Sequence, residues 1–226
     1  PPHWWVGMHD AHLQLMVHAP GVAALEVQLQ PYAGVRLSGV QRTRSPNYLF
    51  IDLQVEPTAH AGSVRLHFHR GAEAVATVDY GLHARRPGSD ARKGFDASDA
   101  VYLLMPDRFA NGDPANDQMP GLGDVVARDI PSARHGGDLA GMRQHLDYIA
   151  GMGFTLVWPT PLLENRQPQY SYHGYALTDF YRVDPRFGSN RDYVDFVGAA
   201  RQRGLGVLQD VVLNHIGTGH WWMQDL

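Results

Sequence analysis

Residues 138–159 read DLAGMRQHLDYIAGMGFTLVWP, and this stretch decides the fold. Leu139, Met142, Leu146, Ile149 and Met152 recur at spacings of three and four, so they share one face of a helix. Asp138 stands where an N-cap accepts unpaired backbone N–H groups, and Gly153 stands where a helix ends. The spacing therefore predicts one helix over 139–152. The run 154–158, Phe-Thr-Leu-Val-Trp, is too short and too apolar for a surface helix, and Pro159 and Pro161 close it. It reads as a strand buried on both faces, as in a parallel sheet covered by helices.

The same grammar extends in both directions. Upstream, 101–105 is a β-like run followed by a long loop; downstream, Tyr193, Phe196, Val197 and Ala200 mark a second helix ending at Gly204, and 207–212 reads as a third buried strand. Strand, helix, strand, helix, strand is the repeat of a parallel α/β fold. From Asp96 onward the chain has roughly half the residues of a closed (β/α)8 barrel, so as a TIM barrel it holds only the first three strands.

Before residue 85 the pattern changes to short β-like runs at 13–17, 24–29, 48–55, 64–68 and 75–80, separated by turn residues. They predict an antiparallel β-sandwich. Apolar and polar residues alternate along 64–69, so His67 and His69 share the wet face; with no third ligand nearby they read as solvated strand histidines rather than a metal pair. The segment 85–94, RRPGSDARKG, is charged and rich in helix breakers, as a linker is. The expected division is a sandwich of immunoglobulin-like type over 1–86, a linker over 87–98, and the α/β part over 99–226.

With a formal net charge of -4 and no clustering of Lys and Arg, the chain has no broad basic field, which argues against nucleic acid as a partner. It contains no cysteine, so disulfides and thiolate metal sites are excluded while the compartment stays open. No apolar run approaches the ~20 residues a bilayer span needs, so no membrane partner is expected. Localisation is not read directly from these residues; a bacterial-type periplasmic or secreted location is slightly preferred over the cytoplasm.

Ligands of parallel α/β folds sit at the C-terminal ends of the strands, which gives weight to three clusters. Asn111-Gly112-Asp113-Pro114-Ala115-Asn116-Asp117 places four short oxygen-bearing side chains within one loop. These could converge on a hard cation such as calcium, or bond their own backbone in Asx turns; the loop is not an EF-hand, because Asn116 and Leu122 stand where that motif has Gly and Glu. Tyr170-Ser171-Tyr172-His173-Gly174-Tyr175 offers flat aromatic faces and an imidazole suited to a sugar, although core packing explains alternating tyrosines equally well. Asp210-Val211-Val212-Leu213-Asn214-His215 puts three polar groups at the end of an apolar strand, where they carry a desolvation cost unless they face a site or each other. Trp221-Trp222 reads as a packed pair rather than an extension of a sugar platform.

Taken in order, Asp107-Arg108-Phe109-Ala110-Asn111-Gly112-Asp113, Gly136-Gly137-Asp138-Leu139, Tyr172-His173-Gly174-Tyr175, Asp179-Phe180-Tyr181, Asp184-Pro185-Arg186-Phe187-Gly188 and Asp210 to His215 closely resemble the α-amylase family of glycoside hydrolases. The resemblance is narrower to its cyclomaltodextrinase and neopullulanase group, which carries a sandwich before the barrel. It implies hydrolysis of α-1,4-glucosidic bonds with retention, by an Asp nucleophile and a Glu acid/base roughly 5 Å apart, in cyclodextrins, pullulan or maltodextrins. It further implies a structural Ca2+ at Asn111, Asp113, Asn116, Asp117, Gly136 and Asp138. Tyr175 matches an aromatic platform under the sugar before the scissile bond, His173 and His215 match hydroxyl-binding histidines, and Asp210, with Asn214 beside it, matches a structural acid next to the site.

The nucleophile and acid/base have no counterpart among these residues, so the 226 residues alone are expected to be inactive and to expose apolar faces that further barrel strands would cover. A homodimer through the N-terminal domain is a further implication of the resemblance. Two other readings stay open: a non-catalytic glucan-binding module or inactive fragment, and a family member that transfers glycosyl groups to a sugar acceptor.

Overall fold

Alternation along the first ninety residues builds two sheets, and the change to helical spacing builds a third. The computed structural model describes residues 2–225 and separates into two units, one ending at Lys93 and the other starting at Gly94.

In the first unit the strands are β1 (His3–Trp5), β2 (His12–His18), β3 (Glu26–Leu29), β4 (Val35–Arg42), β5 (Tyr48–Val55), β6 (Gly62–Arg70) and β7 (Glu73–His83). One sheet has the order β2-β5-β4, antiparallel throughout; the other has the order β1-β7-β6-β3, in which only the β1–β7 pairing is parallel. Leu13 and Leu15 of β2, Leu49, Ile51, Leu53 and Val55 of β5, Val64, Leu66 and Phe68 of β6, and Tyr80 and Leu82 of β7 form one buried cluster. The period of two puts each set on a single face, and burying each such aliphatic side chain contributes about 1.5–3 kcal/mol. Asp52, on central β5, is buried too. It accepts hydrogen bonds from Gln14 (2.8 Å) and Gln41 (2.7 Å), which together with the His12 charge outweigh desolvation and hold its carboxyl below the usual range.

Two strands went unread in the sequence, β1 and β4. β4 is VRLSGVQR, and its Leu37/Gly39 bulge breaks the alternation. His67 Nδ1 lies 3.1 Å from Thr77 Oγ1, and His67 and His69 stand on the half-exposed side of β6 with their ring centroids 6.2 Å apart.

The second unit contains β8 (Val101–Leu104), α1 (Pro106–Phe109), α2 (Leu139–Gln144), α3 (Leu146–Gly151), β9 (Leu156–Pro159), α4 (Asn190–Gln202), β10 (Gly206–Val207) and α5 (Trp221–Gln224). β8, β9 and β10 pair parallel in sequential order, as the opening strands of a (β/α)8 barrel do. Leu139, Met142, Leu146, Ile149, Phe196 and Ala200 pack one side of this sheet around Val157 and Leu104. A capping box at Ser189 and Asp192 starts α4, where each side chain accepts from the other's backbone N–H.

Three expectations are corrected here. The helix over 139–152 is two helices, because the His145 imidazole Nδ1 takes the Gly141 carbonyl (2.8 Å) that the His145 N–H would use in an α-helix, and that N–H turns to Met142 instead. Strand β9 is buried on one face only among the described residues: Trp158 is 39% exposed, as is its register partner Leu103 at 58%, on the face that further strands of a barrel would cover. The third strand, read over 207–212, pairs only at Gly206–Val207, followed by one further bond from Leu208 N–H to Val157; Val211 and Leu213 are exposed, since this edge has no strand on its far side among the described residues.

Candidate functional site

Trp158 at the end of β9 and Asp210 just beyond β10 are neighbours because their strands pair. The Trp158 indole donates to Asp210 Oδ2 at 3.1 Å, and the Tyr175 hydroxyl donates to the same oxygen at 3.0 Å. Burial, then the hydrogen bond and charge of Asp210, push the Tyr175 phenol above its ordinary value, so it stays a donor. Tyr175 is 38% exposed and so presents part of its ring outward.

Both histidines expected at the site are beside Tyr175. The His173 ring stacks on it, with centroids 5.7 Å apart and planes 28° apart, and His173 Nδ1 accepts from the Tyr175 backbone N–H at 2.9 Å. Burial lowers the His173 pKa, so at neutral pH its proton sits on Nε2, ready to donate. His215 Nε2 donates to the Tyr175 carbonyl at 2.9 Å, and His215 Nδ1 accepts from the Asn214 amide at 3.3 Å. The structure thus brings together Tyr175, His173, His215, Asp210 and Asn214.

Sequence reading missed the supports of this cluster. Ser171, fully buried, donates its N–H (2.8 Å) and its hydroxyl (3.0 Å) to Asp124 Oδ2. The Arg108 guanidinium lies 4.2 Å over the Tyr172 ring and is fixed by the carbonyls of Pro131 and Ala133. Gly174 has φ 84°, and a Cβ there would fall 2.1 Å from the Pro161 oxygen, so no other residue fits. Trp158, which the sequence reading placed only in its strand, was within reach as the aromatic at a strand's C-terminal end. Trp221 and Trp222 pack with His220 and Phe180.

The loop after α1 gathers the six residues expected around calcium, in two roles. Asp138 caps α2 by accepting from Gly141 N–H (2.6 Å), and also takes Gly112 N–H (3.0 Å), Asp113 N–H (2.8 Å) and the Asn116 amide (3.2 Å). Asp113 accepts from Ala115 N–H, an Asx turn. Asn111 donates to Asp117 at 2.7 Å, and a Cβ on Gly136 (φ 84°) would lie 2.6 Å from the same Asp117 oxygen. The Oδ1 atoms of Asn111 and Asn116 are buried with no hydrogen-bond partner. Orphaned buried oxygens next to a carboxylate suit a hard cation with oxygen ligands, so the residues fit Ca2+. Among the described residues no group of three or more His, Cys, Asp or Glu is arranged to hold a metal, so such a cation would depend on amide and carbonyl oxygens beside the Asp117 carboxylate.

Residues 103–226 match the family model described as the α-amylase catalytic domain, and residues 1–86 match that of the cyclomaltodextrinase N-terminal domain. A periplasmic α-amylase of Escherichia coli (strain K12) is 30% identical over all of this chain and 36% of its own length. A cyclomaltodextrinase of a Bacillus species is 38% identical over 53% of this chain and 21% of its own. Among solved structures, an Anoxybacillus α-amylase superposes with a TM-score of 0.51 at 42% identity, covering 56% of this chain and 26% of that one. The chain spans between 10% and 36% of the length of the curated relatives it matches.

Proposed function

Because the chain belongs to the α-amylase family of glycoside hydrolases, we propose that the protein carrying it cleaves α-1,4-glucosidic bonds with retention in short α-glucans: cyclodextrins, maltodextrins or pullulan. The observation that supports this best is the convergence of Tyr175, Trp158 and His173 on the strand ends around Asp210. Flat aromatic faces take the C–H faces of a glucose ring, while the His173 Nε2–H donates to one of its hydroxyls. Asp210 does not attack. Its Oδ2 holds two donors and orients the rings. The nucleophile and general acid are not assigned to any residue from 1 to 226; in this reading they come from other strands of the barrel, and residues 1–226 alone bind without turnover.

Release of reducing sugar from cyclodextrin, maltodextrin or pullulan by the full-length protein tests this. Turnover of at least one is expected, and failure on all three would sink the hydrolase reading. Products longer than the substrate would mean glycosyl transfer, since water and a sugar hydroxyl compete for one intermediate.

A structural Ca2+ belongs to the same proposal, held by Asn111, Asn116, Asp117 and Gly136 and framed by Asp113 and Asp138. When bound, it supplies charge that satisfies the orphaned amide oxygens. A ligand bound only by the native state at 100 times its Kd adds about 2.7 kcal/mol. At about 2–4 °C per kcal/mol, Ca2+ is expected to raise Tm by roughly 5–10 °C over a chelated sample. Equal melting with calcium and with chelator would return this loop to a set of Asx turns.

A homodimer through the N-terminal domain and a periplasmic or secreted location complete the reading. A monomer in sedimentation at micromolar concentration would remove the first. The second is supported by the likeness to a periplasmic α-amylase, and recovery of the protein only from the cytoplasmic fraction would remove it.

A further inference from the structure

We propose that Asp124 is a positioning residue of the sugar site: through Ser171 it clamps the turn 170–174 and thereby sets His173 and Tyr175. The proposal rests on reading that cluster as the glucan site. Asp124 itself lies 47 positions from Ser171 in sequence and bonds the turn through Ser171 rather than through His173 or Tyr175, whose hydrogen bonds among the described residues go elsewhere.

Ser171 is the fixed point of the turn. Its N–H and O–H both go to one Asp124 oxygen, its Oγ lies 3.4 Å from Arg134 Nη1, and its carbonyl takes the Asn165 amide (3.4 Å) and Gly174 N–H (3.2 Å). Immediately before it, Tyr170 is the one non-glycine residue with positive φ among the described residues, at φ 60° and ψ 22°. A tyrosine relaxes from the left-handed region unless its neighbours hold it there. Tyr170 is more than half exposed, so the holding comes from the residue that follows it. Release of Ser171 lets the backbone at 170–171 rotate, and His173 and Tyr175 lie two and four residues further along. The clamp also joins two long excursions from the sheet, 105–138 and 160–189. The first of them contains the proposed cation loop.

A residue that merely packs would change melting and leave the site's chemistry alone, so the test reads the site. In the full-length protein, the His173 imidazole is titrated by NMR in the wild type and in Asp124→Ala, Asp124→Asn and Ser171→Ala. Burial keeps the wild-type His173 below the ordinary histidine value. In folded Asp124→Ala it is expected to rise toward that value, with kcat/KM on a maltooligosaccharide falling at least tenfold. Asp124→Asn keeps one acceptor and should recover part of both effects; it also serves if Asp124→Ala does not fold. On a Tyr175→Ala background, Asp124→Ala should cost clearly less than its tenfold in the wild type, because part of its effect runs through Tyr175 and only the part through His173 remains. An unmoved His173 titration in a folded variant, or losses that multiply on that background, would overturn the clamp. A His173 shift in a protein that turns over no α-glucan would keep the clamp and reject the glucan reading.

Discussion

On the proposed glucan-hydrolase reading, replacing Tyr175 by Ala in the full-length protein is expected to lower kcat/KM on maltodextrin about 100-fold while shifting Tm by only a few degrees. Misplacing a bound group by about 1 Å can cost that factor in rate, and Tyr175 is the residue on which the cluster's contacts meet. Its ring stacks with His173, its hydroxyl fixes Asp210, its N–H fixes His173 and its carbonyl fixes His215. Stability should change little, because the side chain is over a third exposed and outside the buried clusters. Tyr175→Phe keeps the ring and loses only the bond to Asp210, so it should retain most of the activity. Steady-state kinetics beside a melting curve decide the matter: a large fall in Tm with unchanged specific activity would make Tyr175 a packing residue.

Arg186→Ala should destabilise the α/β unit by about 3–5 kcal/mol, the usual cost of stripping one partner from a buried ion pair. Arg186 and Asp184 are both at or below 1% exposure, joined by Nη2 to Oδ2 at 2.8 Å and Nε to Oδ1 at 2.9 Å, and Arg186 also donates to the Asn165 carbonyl. Burial pushes the Asp184 carboxyl up, but the hydrogen bonds and charge of Arg186, with the charge of Arg134, outweigh it and hold the pKa below the usual value. A carboxyl depressed in the folded state contributes stability above its unfolded pKa and loses it as pH falls through the folded one. The pair is therefore intact at neutral pH, and acid removes its contribution only below the ordinary Asp range. At about 2–4 °C per kcal/mol the variant should melt roughly 10 °C lower; a change within 2 °C would mean the pair adds nothing net. Replacing both residues by apolar ones of similar volume should recover much of the loss.

What the sequence disclosed depended on how local the cause was. The sandwich and the parallel sheet were legible because periods of two and of three to four survive in runs such as 64–68 and 139–149. The break at His145 was not legible, because it comes from an imidazole competing for a backbone carbonyl, which leaves the apolar spacing intact. At the site, His173, Tyr175, Asp210, Asn214 and His215 could be named from their motifs and their place after strands. The contacts that hold them could not: Asp124 and Ser171, 47 residues apart, meet only when two loops fold against each other, and no pattern in the sequence pairs them. Asp113 and Asp138 belong to the set the resemblance implies for a cation, and their carboxylates also accept backbone N–H groups, so geometry gives different members of that set different partners.

The four-stranded sheet of the sandwich has its two longest strands, β6 and β7, inside, and on the side away from β1 it ends on β3, with four residues. A short border strand offers an incoming chain few backbone groups to pair with. On the β3 side the sheet is thereby guarded against growing by strand addition into fibrous aggregates. A dimer that uses it must be built from side chains on its broad outer face, where single substitutions can tune or abolish the association without disturbing the pairing inside.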